Sequence, residues 1–319
     1  MNIRTLSLAA ALACLLGFAA RAEDYPQKPI KMITPYPPGG PTDVLARAVS
    51  QKLSERLGQP IIIDNRPGAS GMIGADLVAK AAPDGYTLLA NASIHVINPS
   101  LYKAPPYDAI KDFAPVGQIA EVPLVLVVSP ALGVKTVKEL IAKAKTTPLN
   151  FASSGNGSAP HLAGEGFKIA TGADMLHIPY KGSGPAITDL MGGQVNLMFD
   201  SLPSSMPYIK SGRIIAIAVT TKTRTSALPN VPTVAESGVP GFDVSTWYGI
   251  WAPAATPAAI VHRISAELAA VVRLPEIRAR LADLGAEPVG STPEEFTAYN
   301  RSELTKWAKI VKDSGAKVD

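Results

Sequence analysis

Residues 35–43 read PYPPGGPTD and stand between a strand-like run, Ile30-Lys31-Met32-Ile33-Thr34, and a helix-like run, Val44-Leu45-Ala46-Arg47-Ala48-Val49. A strand that passes through a glycine- and proline-rich turn into a helix opens a β-α unit, the building block of parallel sheets. Within the turn, Gly40 is placed to be the helix N-cap and Pro41 the first helical residue, where its missing N–H costs nothing. The N–H groups of Thr42 and Asp43 are then left unpaired at the positive end of the helix dipole, an arrangement suited to an anion. Gly39 has no side chain to hold a ligand off, and Tyr36 and Thr42 carry hydroxyls. An ordinary strand-to-helix turn accounts for the same residues, and Asp43 favours that reading because a first-turn carboxylate can itself meet the dipole. Gly-Pro-Thr stands where a Walker A loop needs Gly-Lys-Ser/Thr, so a nucleotide is not the expected ligand.

The pattern continues outward. A helix over 42–57 is followed by a strand at 61–63, a helix over 72–80 and a strand at 86–89. A second set begins at Leu124-Val125-Leu126-Val127-Val128 and runs through helix 136–145, strand 149–152, helix 159–171, strand 176–180, helix 185–192, strand 195–199 and strand 214–219. Helices near 257–273, 275–283 and 293–314 close the chain. This alternation predicts an α/β protein with parallel sheets, whose ligands gather at the carboxyl ends of the strands. One lobe is entered once and left once, and the terminal helices return to the other, which is the layout of a hinged two-lobe binder. The expected division is 23–122 for the first part of lobe one, 123–245 for lobe two and 246–319 for the return segment, with crossings near Glu121-Val122 and Ser245-Thr246.

The second set repeats the opening design. Phe151-Ala152-Ser153-Ser154-Gly155-Asn156-Gly157-Ser158-Ala159-Pro160-His161 is again a strand, a Gly-rich loop, a proline and a helix start. Ser154, Gly155, Asn156, Gly157 and Ser158 can surround an oxyanion with hydroxyls and backbone N–H groups, facing the first loop across a cleft. His161, on the first turn of the following helix, either helps cap it or donates to the ligand. Asn91 and Ser93 follow a strand and either present polar groups to the cleft or form a polar turn. Asp200, at another strand end, either caps the next loop or positions water and ligand donors.

Residues 1–22 contain Arg4, an apolar stretch from Leu6 to Ala20 and the small-residue pattern Ala20-Arg21-Ala22, the expected form of a cleavable secretory signal peptide. The only cysteine, Cys14, lies inside it, so thiolate catalysis and cysteine-based metal sites are excluded for the mature chain. Without Arg4 and Arg21 the 30 basic residues become 28, against 26 acidic, and no basic block tracks a phosphate backbone, which argues against nucleic acid. The histidines His95, His161, His177 and His262 have no metal-ligand spacing, and neither H-E-x-x-H nor G-x-S-x-G occurs. No metal, cofactor or catalytic residue is expected, and Ser154 and Ser158 read as donors more than nucleophiles.

Taken in order, Tyr25-Pro26 with Lys28-Pro29-Ile30, PYPPGGPTD, Asn65-Arg66-Pro67-Gly68-Ala69 with Gly71, Pro83-Asp84-Gly85-Tyr86-Thr87, SSGNGSAPHLAGE, PYKGSGPAITDLMGGQVNLMFD, NVPTVAESGVPGF and the Trp-x-Gly-x-x-Ala-Pro run from Trp247 resemble one family. It is the extracytoplasmic solute receptors of tripartite tricarboxylate transporters, also called Bug proteins. The resemblance implies a type II periplasmic-binding fold, two lobes with mostly parallel sheets flanked by helices that close on a small carboxylate. It further implies that the loops 36–42 and 154–158 hold one ligand carboxylate, partly through ordered water. The expected protein is a periplasmic monomer that delivers its ligand to membrane transporter subunits. Presentation of the bound acid to a sensor protein is an alternative, and a secreted hydrolase is a third.

Overall fold

The computed structural model describes residues 25–314, so the expected signal peptide lies outside the described residues. The first β-α units are β1 (Ile30–Thr34), α1 (Pro41–Leu57), β2 (Ile61–Asn65), α2 (Met72–Ala79), β3 (Thr87–Ala92) and α3 (Ile94–Leu101). The long strand β4 (Phe113–Val128) leads to α4 (Val137–Ala144), β5 (Leu149–Ser153), α5 (Ala159–Thr171), β6 (Met175–Pro179), α6 (Ser183–Met191), β7 (Leu197–Ser201), α7 (Leu202–Lys210) and β8 (Ile215–Val219). The chain returns through β9 (Ser245–Pro253), α8 (Ala258–Arg273), α9 (Pro275–Asp283), β10 (Glu287–Pro288) and α10 (Pro293–Ser314).

The strands follow the order β2-β1-β3-β9-β4-β7-β5-β6, with β8 and β10 also paired to β4. The outer strands are parallel, β1 with β2 and β3, and β5 with β6 and β7. The middle is antiparallel, because β4 and β9 run against each other and against their neighbours. Strand β4 carries both halves: it pairs with β9 from Phe113 to Pro123 and with β7 from Leu124 to Val128. Pro123 stands at the exchange, where a residue without an N–H interrupts a ladder at least cost.

Both sheet faces are covered, so the run Leu124–Val128 is apolar throughout yet still alternates. Val125 and Val127 enter the layer with α1, α6, α8 and α9, while Leu124, Leu126 and Val128 enter the layer with α2, α3, α4, α5 and α10. Two helices absent from the sequence reading, α3 and α7, contain Pro99 and Pro207. An internal proline disfavours a helix, but tertiary packing keeps each segment helical for about two turns. The Trp247 run, unassigned from sequence, is β9, and its indoles join the second layer.

Glu303 of α10 fixes the C-terminal helix to the sheet. Its Oε2 accepts from the indole Nε1 of Trp247 on β9 and from that of Trp307 on α10, each at 2.8 Å, and its Oε1 accepts from Lys306 Nζ at 3.0 Å. Glu303 and both indoles are buried. Replacing Glu303 by Leu leaves two buried donors without a partner. Urea unfolding should show a loss of about 2–5 kcal/mol. Glu303→Gln, which keeps an acceptor, should lose less, and equal losses for the two variants would discount the indole bonds.

Candidate functional site

The helices α1, α3, α5, α6 and α7 each follow the carboxyl end of a strand, β1, β3, β5, β6 and β7 respectively. Their first residues converge on one chamber. Pro41 and Thr42 of α1, Ser93 and Ile94 at α3, Ser158, Ala159 and Pro160 at α5, Ser183 of α6 and Ser201 before α7 all line it. Tyr36, Ala92, Ser154, Thr246 and Tyr248 complete the wall, which contains no charged side chain. Each helix start carries N–H groups that no intrahelical carbonyl can reach, and together they bias the chamber toward negative charge.

The loop before α1 is held from behind. Gly39 adopts φ 80, a left-handed conformation natural to glycine, and its N–H donates to Asp43 Oδ2 at 3.0 Å. Asp43 also accepts from Arg47 Nε at 2.9 and 3.0 Å and from Asn65 Nδ2 at 3.1 Å, while Asn65 Nδ2 donates to Tyr36 O at 2.9 Å. Burial raises the Asp43 carboxyl, but the bonds from Arg47, Gly39 and Asn65 outweigh it and hold the group below its usual range. The carboxylate therefore turns back into its own loop and leaves the chamber to Thr42.

Asp200 forms the support beneath the opposite wall. It is fully buried and accepts from Ser183 Oγ at 2.5 Å, from Ser205 Oγ at 2.7 Å and from Ser204 Oγ. Burial raises its carboxyl, against the opposing pull of the serine hydroxyls. The Ser183 hydroxyl hydrogen is thereby committed to Asp200, while Ser183 lines the chamber at the start of α6. Tyr248 donates to Ser201 Oγ at 2.6 Å, and Ser93 Oγ lies 2.7 Å from Thr246 Oγ1. These paired hydroxyls fix the wall's polarity.

Of the residues singled out in the sequence, Tyr36, Thr42, Ser93, Ser154 and Ser158 line the chamber. Gly155 and Asn156 line an adjoining space. Gly39, Gly40, Asn91, Gly157, His161 and Asp200 line neither, and act, where they act, by shaping the walls. Asn91 lies in β3, its Oδ1 accepting from Ala92 N–H at 2.8 Å. His161 turns inward: its Nδ1 accepts from Gly157 N–H at 3.0 Å, and its ring stacks on His177 with centroids 3.9 Å apart. Ser183, Ser201, Thr246 and Tyr248 were not anticipated. The Gly-Ser-Gly after Lys181 was a usable signal for the first, since it repeats the bare helix start of the other loops; the other three are brought in by β7 and β9.

Comparison with known proteins gives consistent relatives. The TctC profile, described as the tripartite tricarboxylate transporter family receptor, matches residues 45–316. Protein BugT of Bordetella pertussis is 39% identical over 325 residues, covering 100% of both chains. The solved structure of R. palustris Rpa4515 with adipate superposes with a TM-score of 0.90 at 40% identity, covering 92% of this chain and 100% of that one. MatC of Rhodopseudomonas palustris with bound malate superposes with a TM-score of 0.85 at 33% identity, covering 90% and 100%.

The two stacked histidines give the fold's stability a pH dependence. Burial lowers His161 from 6.5 to about 4, with Lys168 adding to the effect. Burial lowers His177 from 6.5 to about 3, with His161 and Lys168 adding. The unfolded chain takes up these protons first, so the stability contributed is complete above about pH 6.5 and is lost as pH falls toward 3–4. Each ring should add at most about 1.4 kcal/mol per pH unit to the slope of unfolding free energy in that window. A His177→Gln variant should show a shallower slope between pH 6 and 4 in urea titrations, whatever its stability at pH 7. Identical slopes would contradict the assignment.

Proposed function

The chain belongs to the tripartite tricarboxylate transporter receptor family, and from that premise we propose that it is a periplasmic receptor that captures a small carboxylate and delivers it to a membrane transporter. The observation that carries the reading is the meeting of five helix starts on a chamber whose lining holds no charged side chain. A carboxylate placed there is met by backbone N–H groups and helix dipoles, which are preorganised and need no buried cation. Relatives whose structures were solved with adipate and with bound malate support an acid as the ligand. No histidine lines the chamber, and the Ser183 hydroxyl hydrogen is committed to Asp200, an arrangement that suits binding more than nucleophilic attack.

The lobes, 23–122 with 246–319 and 123–245, close by a hinge at the crossing segments near 121–123 and 245–247. Contacts across the cleft support this. Ser70 Oγ donates to Asn156 O at 2.9 Å, and a Cβ on Gly157 would lie 2.0 Å from Leu101 Cδ1. With the lobes in contact, the ligand enters and leaves only if they part. Small-angle scattering with and without a bound acid should show compaction on binding. A Gly157→Val variant should stay open and lose at least about tenfold in affinity with its circular dichroism unchanged. An unchanged radius in the wild type would count against closure.

The carboxylate itself is tested by conversion to the amide, which removes the charge and one acceptor with little change of shape. Charge-assisted hydrogen bonds contribute roughly 1.5–3 kcal/mol each, so loss of two should weaken binding by about two orders of magnitude. Calorimetry on an acid and its amide decides the matter, and equal affinities would withdraw the carboxylate reading.

A further inference from the structure

A groove of about 630 Å³, much roomier than the chamber, lies at the crossing segments. Its floor is formed by Glu121 and Pro123 of β4 with Ser245 of β9. One wall is the loop after β8, with Thr223, Thr225 and Ser226, and the other is α9, with Arg278, Ala279 and Ala282. On the proposed division the loop belongs to lobe two and α9 to lobe one, so each lobe supplies one wall.

Strand register sets the groove behind the chamber. Glu121 pairs with Trp247 of β9 and with Glu287 of β10, Val122 pairs with Thr246, and Pro123 pairs with Ser245. Partners across a ladder share a face and neighbours along a strand alternate. Glu121, Pro123, Ser245 and Glu287 therefore point to one side of the crossing, and all four line the groove. Of the residues that point to the other side, Val122 also borders the groove, while Thr246 and Tyr248 line the chamber.

Between the two spaces the lobes touch. Ser201 lines the chamber, Gly285 lines the groove, and the buried Leu202 packs between them: a Cβ on Gly285 would lie 2.3 Å from Leu202 Cδ2 and 3.4 Å from Ala227 Cβ. Lys210 Nζ of α7 donates to Asp283 O of α9 at 3.3 Å, a second contact between the lobes. Two bodies that pivot at this contact and at the crossing narrow the groove whenever the cleft widens, because the two spaces lie on opposite sides of the pivot.

We infer that the groove is the cleft's counterpart and that its wall residues, which do not line the chamber, set the affinity for the acid. Bulk placed between the walls opposes their approach, disfavours the open form and enlarges the share of free protein that is ready to bind, and apparent affinity rises with that share. Ala279 and Ala282, exposed on one face of α9, and the exposed Thr223 opposite them are the positions where a larger side chain acts this way. The inference rests on the hinge-closure reading.

Small-angle scattering of the whole mature protein, with calorimetry using adipate and malate as probes, tests it. Ala279→Trp and, on the facing wall, Thr223→Trp should each give the free protein a smaller radius of gyration than the wild type and bind the acid about threefold or more tightly. Ala279→Ser, which adds little bulk, should behave as the wild type. Both positions are exposed, so a thermal melt should show the fold intact; should one tryptophan variant unfold, the other, on the opposite wall, decides the matter. Tryptophan variants with the wild-type free radius and affinity, or with weaker binding, overturn the inference, while compaction of the wild type on binding keeps the hinge reading. A wild type that binds without compaction overturns both.

Discussion

One strand sets the geometry on which everything else rests. Strand β4 continues from Phe113 to Val128 and changes partners at Pro123, so one strand is shared by the two sheet halves, with the start of β9 crossing beside it. The parallel strands on either side, β1 and β3 in one half and β5, β6 and β7 in the other, then end toward the same cleft. A helix that follows a parallel strand starts at that end. The convergence of helix starts is therefore a consequence of sheet topology. It also explains why the C-terminal segment matters: β9 lies between β3 and β4 and supplies Thr246 and Tyr248 to the wall, while Glu303 clamps α10 over the indoles beneath.

The electrostatics follow the same economy. Two carboxylates stand close to the inner chamber, and each is turned away from it. Asp43 is engaged by Gly39, Arg47 and Asn65, and Asp200 by three serine hydroxyls. Their charge is answered locally, and the chamber is left with hydroxyls and backbone N–H groups. A buried lysine or arginine would have carried a desolvation cost in the empty protein. Neutral donors at helix starts avoid it and suit a receptor that has to release what it binds.

Local chemistry was legible where it is carried by short stretches. The strand-loop-helix units at 30–57 and 149–171 stand as read, because glycine and proline positions, caps and apolar periodicity are local properties. Asp43 was read as a first-turn carboxylate that meets the helix dipole itself, and in the structure it supports its own loop by accepting from Gly39, Arg47 and Asn65. Other features were settled only by the fold. Pro99 and Pro207 lie inside α3 and α7, neither of which was read from the sequence, and the Gly-Ser-Gly at the start of α6 was a local signal for Ser183 whose place above Asp200 only the fold decides. His161 was read either as a group that helps cap its helix or as a ligand donor, and in the structure its Nδ1 accepts from Gly157 N–H just before the helix start while its ring stacks on His177.

The division between what the chain dictates locally and what folding decides is physical. From the sequence alone came an α/β chain, the two glycine-rich loops, the expectation of no metal or thiol chemistry and a family resemblance that the comparisons bear out. These depend on backbone preferences and side-chain types over a few residues. The roster of the chamber wall, its charge-free lining and the groove behind it depend on pairings between residues far apart in the chain, such as Leu124 with Ser201 and Pro123 with Ser245. No local preference encodes such a register. It is selected by burying both faces of one sheet at once, and only then do five separate helix starts line a single chamber.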